Sequence, residues 1–128
     1  MKGLRLLVFL GALNLAAVDP ERAVQAIVCE AANQGFDGMT AVGEVIRNRD
    51  SLKGFSCLKR ADLSSFLSRQ PSYVFREAER AWARSQASKL ALGATHYENV
   101  KAFGLPLWAQ GMKETARLGD HVFFKEKT

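Results

Sequence analysis

The stretch RAVQAIVCEAANQGFDGMTAVGEVIRNR, residues 22–49, decides how the rest of the chain is read. Ala23, Val24, Ile27, Val28 and Ala31 recur at helical spacing, and Asp19–Pro20 just before them is a helix start, with Asp as N-cap and Pro in the first turn. Gly35-Phe-Asp-Gly reads as a helix stop and turn, with Asp37 able to cap the next helix. Met39, Val42, Val45 and Ile46 then form a second apolar stripe, which ends in the polar run Arg47-Asn-Arg-Asp. Two helices in tandem point to a mainly helical domain. One residue fits poorly. Glu30 lies at the edge of the first apolar arc, next to Cys29, near the helix C-terminus. It can be a solvated helix residue, half of an ion pair, or a proton donor beside a cleft.

Working outward, residues 51–60 read as a loop carrying Cys57, and Ala61–Ser68 as a short helix before Pro71. Ser72–Leu92 is the longest helical candidate, with Val74, Phe75, Ala78, Trp82, Leu90 and Leu92 apolar and Gly93 as its stop. Residues 94–99 and 121–125 are short, aromatic and β-prone, and are expected to pair as an antiparallel ribbon. Between them Gly104–Trp108 reads as loop and Gln110–Arg117 as a weak helix. The expected class is α+β, mainly helical, with a small antiparallel β-ribbon.

Upstream, Lys2 and Arg5 precede an uncharged, mostly apolar run from Leu6 to Val18, with Ala16–Ala17 offering small residues for cleavage. This layout reads as a secretory signal peptide over residues 1–17, leaving 18–128 as one domain; the run is short for a stable membrane span. With Lys2 and Arg5 gone, 16 basic and 13 acidic residues remain, a mild excess of about +3. That suits an acidic polymer at a cell envelope, and no basic run with interleaved aromatics argues for nucleic acid. An even pair of cysteines in an exported chain predicts one disulfide, Cys29–Cys57. Two cysteines and two histidines at scattered spacing make no zinc motif, and no cofactor is implied. Nothing in the sequence signals oligomerisation, so a monomer is expected.

The chemistry centres on Glu30. Partial burial and the helix dipole both disfavour its charged form, which favours a general acid of the kind that breaks glycosidic bonds. Such enzymes ordinarily use a second carboxylate. Asp37, Glu44, Glu98 and Asp120 are the candidates, and spacing marks out none of them. His96 and His121 lie in the two ribbon segments as structural or substrate-positioning residues. Trp82, Trp108, Tyr97, Phe123 and Phe124 supply aromatic surface, mostly for the core.

With these residues in hand, the chain resembles the SleB-type cell wall hydrolases, the spore-cortex-lytic enzyme family. Residues 22–49 are similar to that family's opening motif. ALGATHY, LPLW and LGDHVFFK follow in the family's order, so the resemblance covers about residues 22–125. It implies a lysozyme-like fold acting on peptidoglycan glycan strands, with Glu30 as the catalytic acid/base of a lytic transglycosylase cutting between N-acetylmuramic acid and N-acetylglucosamine. In that chemistry the sugar's own 6-hydroxyl attacks the anomeric carbon, so one Glu suffices. Thr95, His96, Tyr97 and His121 are nominated as cleft residues able to hydrogen-bond a glycan. The chain departs from the pattern at Gln34, where the family has a second acid, at Ala32 in place of Arg, at Cys29 in place of a small residue, and at Phe124 in place of Tyr. An amidase using a free Cys29 with His96 or His121, and a wall-binding protein without catalysis, are the alternatives.

Overall fold

The computed structural model describes residues 17–128; the expected signal segment lies outside it, save its last residue. Helix α1 spans Pro20–Ala31, and Asp19 caps it, its carboxylate accepting from the amide of Glu21. Ala23, Ala26, Ile27, Val28 and Ala31 are buried, so the predicted arc is the one that packs. Helix α2 spans Gly35–Arg49. It is more than an amphipathic helix: every residue from Gly38 to Ile46 is buried, Thr40 and Glu44 included. It is the central helix of the domain, with α1 and α4 (Ser72–Arg84) packed against it and against each other.

The turn between α1 and α2 falls at Asn33–Gln34, two residues earlier than expected. Asp37 is therefore not a cap. It sits in the first turn of α2, where its carboxylate meets Arg84 at 2.6 Å. A 3₁₀ turn at Ser56–Lys59 and the short helix α3 (Leu63–Ser68) follow. The turn brings Cys57 to Cys29, and the two are bridged with Cα atoms 5.9 Å apart. Replacing both cysteines by Ser should lower stability by about 3.5 kcal/mol, the loop-closure value for this separation. A thermal melt should then show Tm lower by roughly 15 °C, and an unchanged Tm would mean that the bridge adds nothing.

Helix α4 ends at Arg84 rather than near Leu92. The residues beyond it have better partners than a continued helix offers. Ser85 Oγ accepts from Arg47 Nε and donates to the Trp82 carbonyl. Glu44, only 4% exposed, then accepts from Ser88 Oγ at 2.6 Å and from the amides of Leu90 and Ala91 at 2.9 Å each. Asn48 Nδ2 donates to the Ala94 carbonyl, and Thr115 Oγ1 to that of Ala91. The connector from α4 to the sheet is thus nailed to the central helix by three side chains, Glu44, Arg47 and Asn48.

Strands β1 (His96–Glu98) and β3 (His121–Glu126) pair antiparallel, as their composition suggests. The ribbon has a third member. The segment expected to be a weak helix is strand β2, Met112–Leu118, and the sheet order is β1-β3-β2. Its Lys, Glu, Ala, Arg and Leu favour helix locally, but a two-residue turn pairs Leu118 with His121 and a bulge between Glu114 and Ala116 fits the strand to β3. Gly119 sits in that turn at φ 58°, a conformation that costs glycine nothing. Phe123 carries the sheet into the helical core, while Phe124 and Val122 pack on its other face with Ala109. The short helix α5 (Val100–Phe103) and a 3₁₀ turn at Leu107–Gly111 lie between β1 and β2. No helix among the described residues is long and apolar enough to cross a membrane.

Candidate functional site

A groove of roughly 550 Å³ opens where the last turn of α1 faces β1. Glu30 lines it, one residue before the end of α1. Burial raises its pKa above the ordinary glutamate value, the nearby Tyr97 hydroxyl pulls it back down, and the charge of Glu98 pushes it up again. The balance is a carboxyl that holds its proton to higher pH than a solvated one. Tyr97 Oη finds no partner in full hydrogen-bond geometry, but its proximity to Glu30 is felt from both sides: burial first, and then the Glu30 charge, push the phenol well up.

Alternation along β1 divides the work. Tyr97 points inward, its ring tilted against Phe55, His121 and Phe123. His96 and Glu98 take the other side. His96 lies 5.1 Å from the Trp108 ring, which itself rests edge-on against Phe124 at 5.5 Å. Trp108 remains 42% exposed and Phe103 79%, so the rim carries two open aromatic faces of the kind that stack on sugars. Phe124, where a tyrosine was expected from the resemblance, is buried against Trp108 and makes no opening to the groove.

The histidines are both held neutral. Burial lowers the pKa of His121, and burial followed by the charge of Arg49 lowers that of His96. They are therefore hydrogen-bonding groups rather than cations near neutral pH. His121 Nδ1 is a second buried polar atom without a protein partner, next to the Tyr97 ring.

Of the residues nominated from the sequence, Glu30, His96, Tyr97 and His121 converge on the groove. Thr95 does not line it; its hydroxyl lies 2.9 Å from His96 Nδ1 and orients that ring. Comparison of the chain with protein-family models, with curated proteins and with solved structures found no match.

Among the carboxylates weighed as partners to Glu30, Asp37 and Glu44 lie elsewhere, tied to Arg84 and to the α4–β1 connector. Glu98 and Asp120 line the groove. Asp120 is engaged: its carboxylate accepts from Gln34 Nε2 at 3.1 Å, and its amide donates to Gln34 Oε1 at 2.9 Å. Gln34 thus clasps the β2–β3 turn to the α1–α2 junction, a role that an acid at this position could not fill beside Asp120. A Cβ at Gly119 would come within 2.5 Å of Gln34 Oε1, so the clasp needs glycine there. Arg49, which sequence reasoning passed over as part of a polar helix end, also lines the groove. Its place one turn beyond the buried Ile46 was the available signal.

Proposed function

We propose that this protein cleaves the glycan strands of peptidoglycan as a lytic transglycosylase, with Glu30 as the single acid and base. The observation that carries the reading is a partly buried carboxyl, biased towards its protonated form, in a polar groove rimmed by open aromatic faces. Glu30 donates its proton to the leaving glycosidic oxygen. The carboxylate then takes the proton of the sugar's 6-hydroxyl as that oxygen closes on the anomeric carbon, leaving a 1,6-anhydro end. Tyr97 and His121 supply hydrogen bonds, and Trp108 a stacking surface.

One feature disfavours the amidase alternative. Both of the chain's cysteines are bridged, so no thiolate is available to act as an amidase nucleophile. The disulfide suits an oxidising compartment outside the cytoplasm.

Mass spectrometry of fragments released from purified peptidoglycan tests the reading. Anhydro-muropeptides are expected. Reducing ends would make the enzyme a hydrolase with Glu98 as the base to examine; free peptides would make it an amidase; binding without release would make it a wall-binding protein.

The pH dependence carries its own sign test. A general acid works while protonated, so the rate should fall as pH rises through the elevated Glu30 value. Glu98→Gln removes a charge that raises that value, and should move the alkaline limb to lower pH. Tyr97→Phe removes a hydroxyl that lowers it, and should move the limb to higher pH. Rate–pH profiles of the two variants check this, and shifts in the same direction would exclude Glu30 as the titrating acid. Stability follows the same linkage. The contribution from Glu30 is complete below the ordinary glutamate value and is lost as pH rises through its folded value.

A further inference from the structure

Arg49 is the one permanently cationic side chain lining the groove among the described residues. The described ion pairs engage Arg60, Arg69, Arg84 and Arg117, and none engages Arg49. An unpaired guanidinium beside a carboxyl-bearing site usually signals solvent or a ligand anion. Here it is held in place. It lies over the Phe55 ring, 4.8 Å from the centroid. Its Nη2 donates to the Lys53 carbonyl. Gly54, at φ 89°, leaves room for it: a Cβ there would come within 2.6 Å of Nη2. The loop closed by the Cys29–Cys57 bridge is shaped around this side chain, with most of its five donors left over.

The groove carries groups of both signs. Glu30, Glu98 and Asp120 line it together with Arg49, and the Arg49 charge is felt at His96 and Tyr97 but is not a cause of the shift at Glu30. Arg49 thus leaves the acid free to keep its proton while offering a planar fork to an anion bound along the same groove.

We infer that Arg49 forms a carboxylate subsite, reading an acidic group carried by the muramic acid side of the glycan. The inference rests on peptidoglycan as the ligand. Two sources share this chemistry: the carboxylates of the stem peptide, and the lactyl carboxylate exposed when the stem is absent.

Binding separates the subsite from catalysis. The probe is soluble, uncrosslinked glycan chains bearing stem peptides, titrated into the Glu30→Gln protein by calorimetry. Adding Arg49→Gln should weaken binding about tenfold or more, the scale of a charge-assisted hydrogen-bond pair. Amidating the carboxylates of the chains should weaken binding to the same degree where Arg49 is present, and by less than about twofold where it is replaced. Arg49→Lys, which keeps the charge but not the fork, should fall between. Chains stripped of peptide by an amidase identify the source: retained affinity assigns the lactyl group, lost affinity the stem. Equal weakening by amidation in both proteins, unchanged affinity on Arg49→Gln, or no binding of chains at all would overturn the inference. Should Arg49→Gln fail to fold by circular dichroism, the amidation comparison with Arg49 intact and with Arg49→Lys decides it. If wild-type protein releases no fragments while this pattern holds, the enzymatic reading fails and the subsite stands.

Discussion

Glu30→Gln should fold like the wild type and release fragments from peptidoglycan at least about a thousandfold more slowly, within the range that a positioned general acid contributes. The amide matches the carboxyl in shape but has no proton to give a leaving oxygen. Because the wild-type carboxyl is partly desolvated, its replacement by a neutral group should also raise Tm slightly at alkaline pH, where the native side chain ionises at a cost. Loss of activity with Tm kept or raised separates a chemical role from a structural one. Release within tenfold of wild type would remove Glu30 from the mechanism.

The largest effect on stability is expected at Glu44. Glu44→Ala strands the amides of Leu90 and Ala91 and the hydroxyl of Ser88 in the interior, and opens a void under the α4–β1 connector. Unsatisfied buried donors cost about 1–3 kcal/mol each. With Ser88 free to rotate, a total of about 3–5 kcal/mol is expected, against the 5–15 kcal/mol that typically separates folded from unfolded states. Urea denaturation measures it. The same variant should lose activity even at temperatures where it stays folded, since the connector sets β1 beside Glu30. A loss of under about 1 kcal/mol would mean that Leu90 and Ala91 find water instead.

Much of this was legible in the sequence, and the pattern of success is physical. Helix α1, its Asp19 cap and the buried stripe of α2 follow from periodicity that the core obeys. The β1–β3 pairing follows from two β-prone aromatic segments, and the disulfide from an even cysteine count in a chain with an export-like start. Where partners lie far away, local signals misled. Residues 85–92 have helical composition but surrender it to Glu44 and Arg47, more than 35 positions upstream. Residues 112–118 are good helix formers drawn into a sheet by β3, and the Gly-Asp pair at 119–120 is the local signal of that hairpin. At the site, Glu30 showed through because a carboxylate on an apolar edge breaks a pattern. Glu98 and Asp120 were two candidates among four until the fold brought them to the groove, and the Gln34–Asp120 clasp, between residues 86 positions apart, has no local signature.

That clasp joins residues 86 positions apart. Glu30 belongs to the first described helix, and the strands that wall it in include the last. Contacts so distant along the chain are costly to close and come late in folding. A ribosome releases the acid long before it releases the hairpin that completes its pocket, and a chain cut short of His121 carries Glu30 on an open helix end. The groove around Glu30 is thus completed last, and a chain still short of β3 holds the carboxyl without the wall of the proposed site.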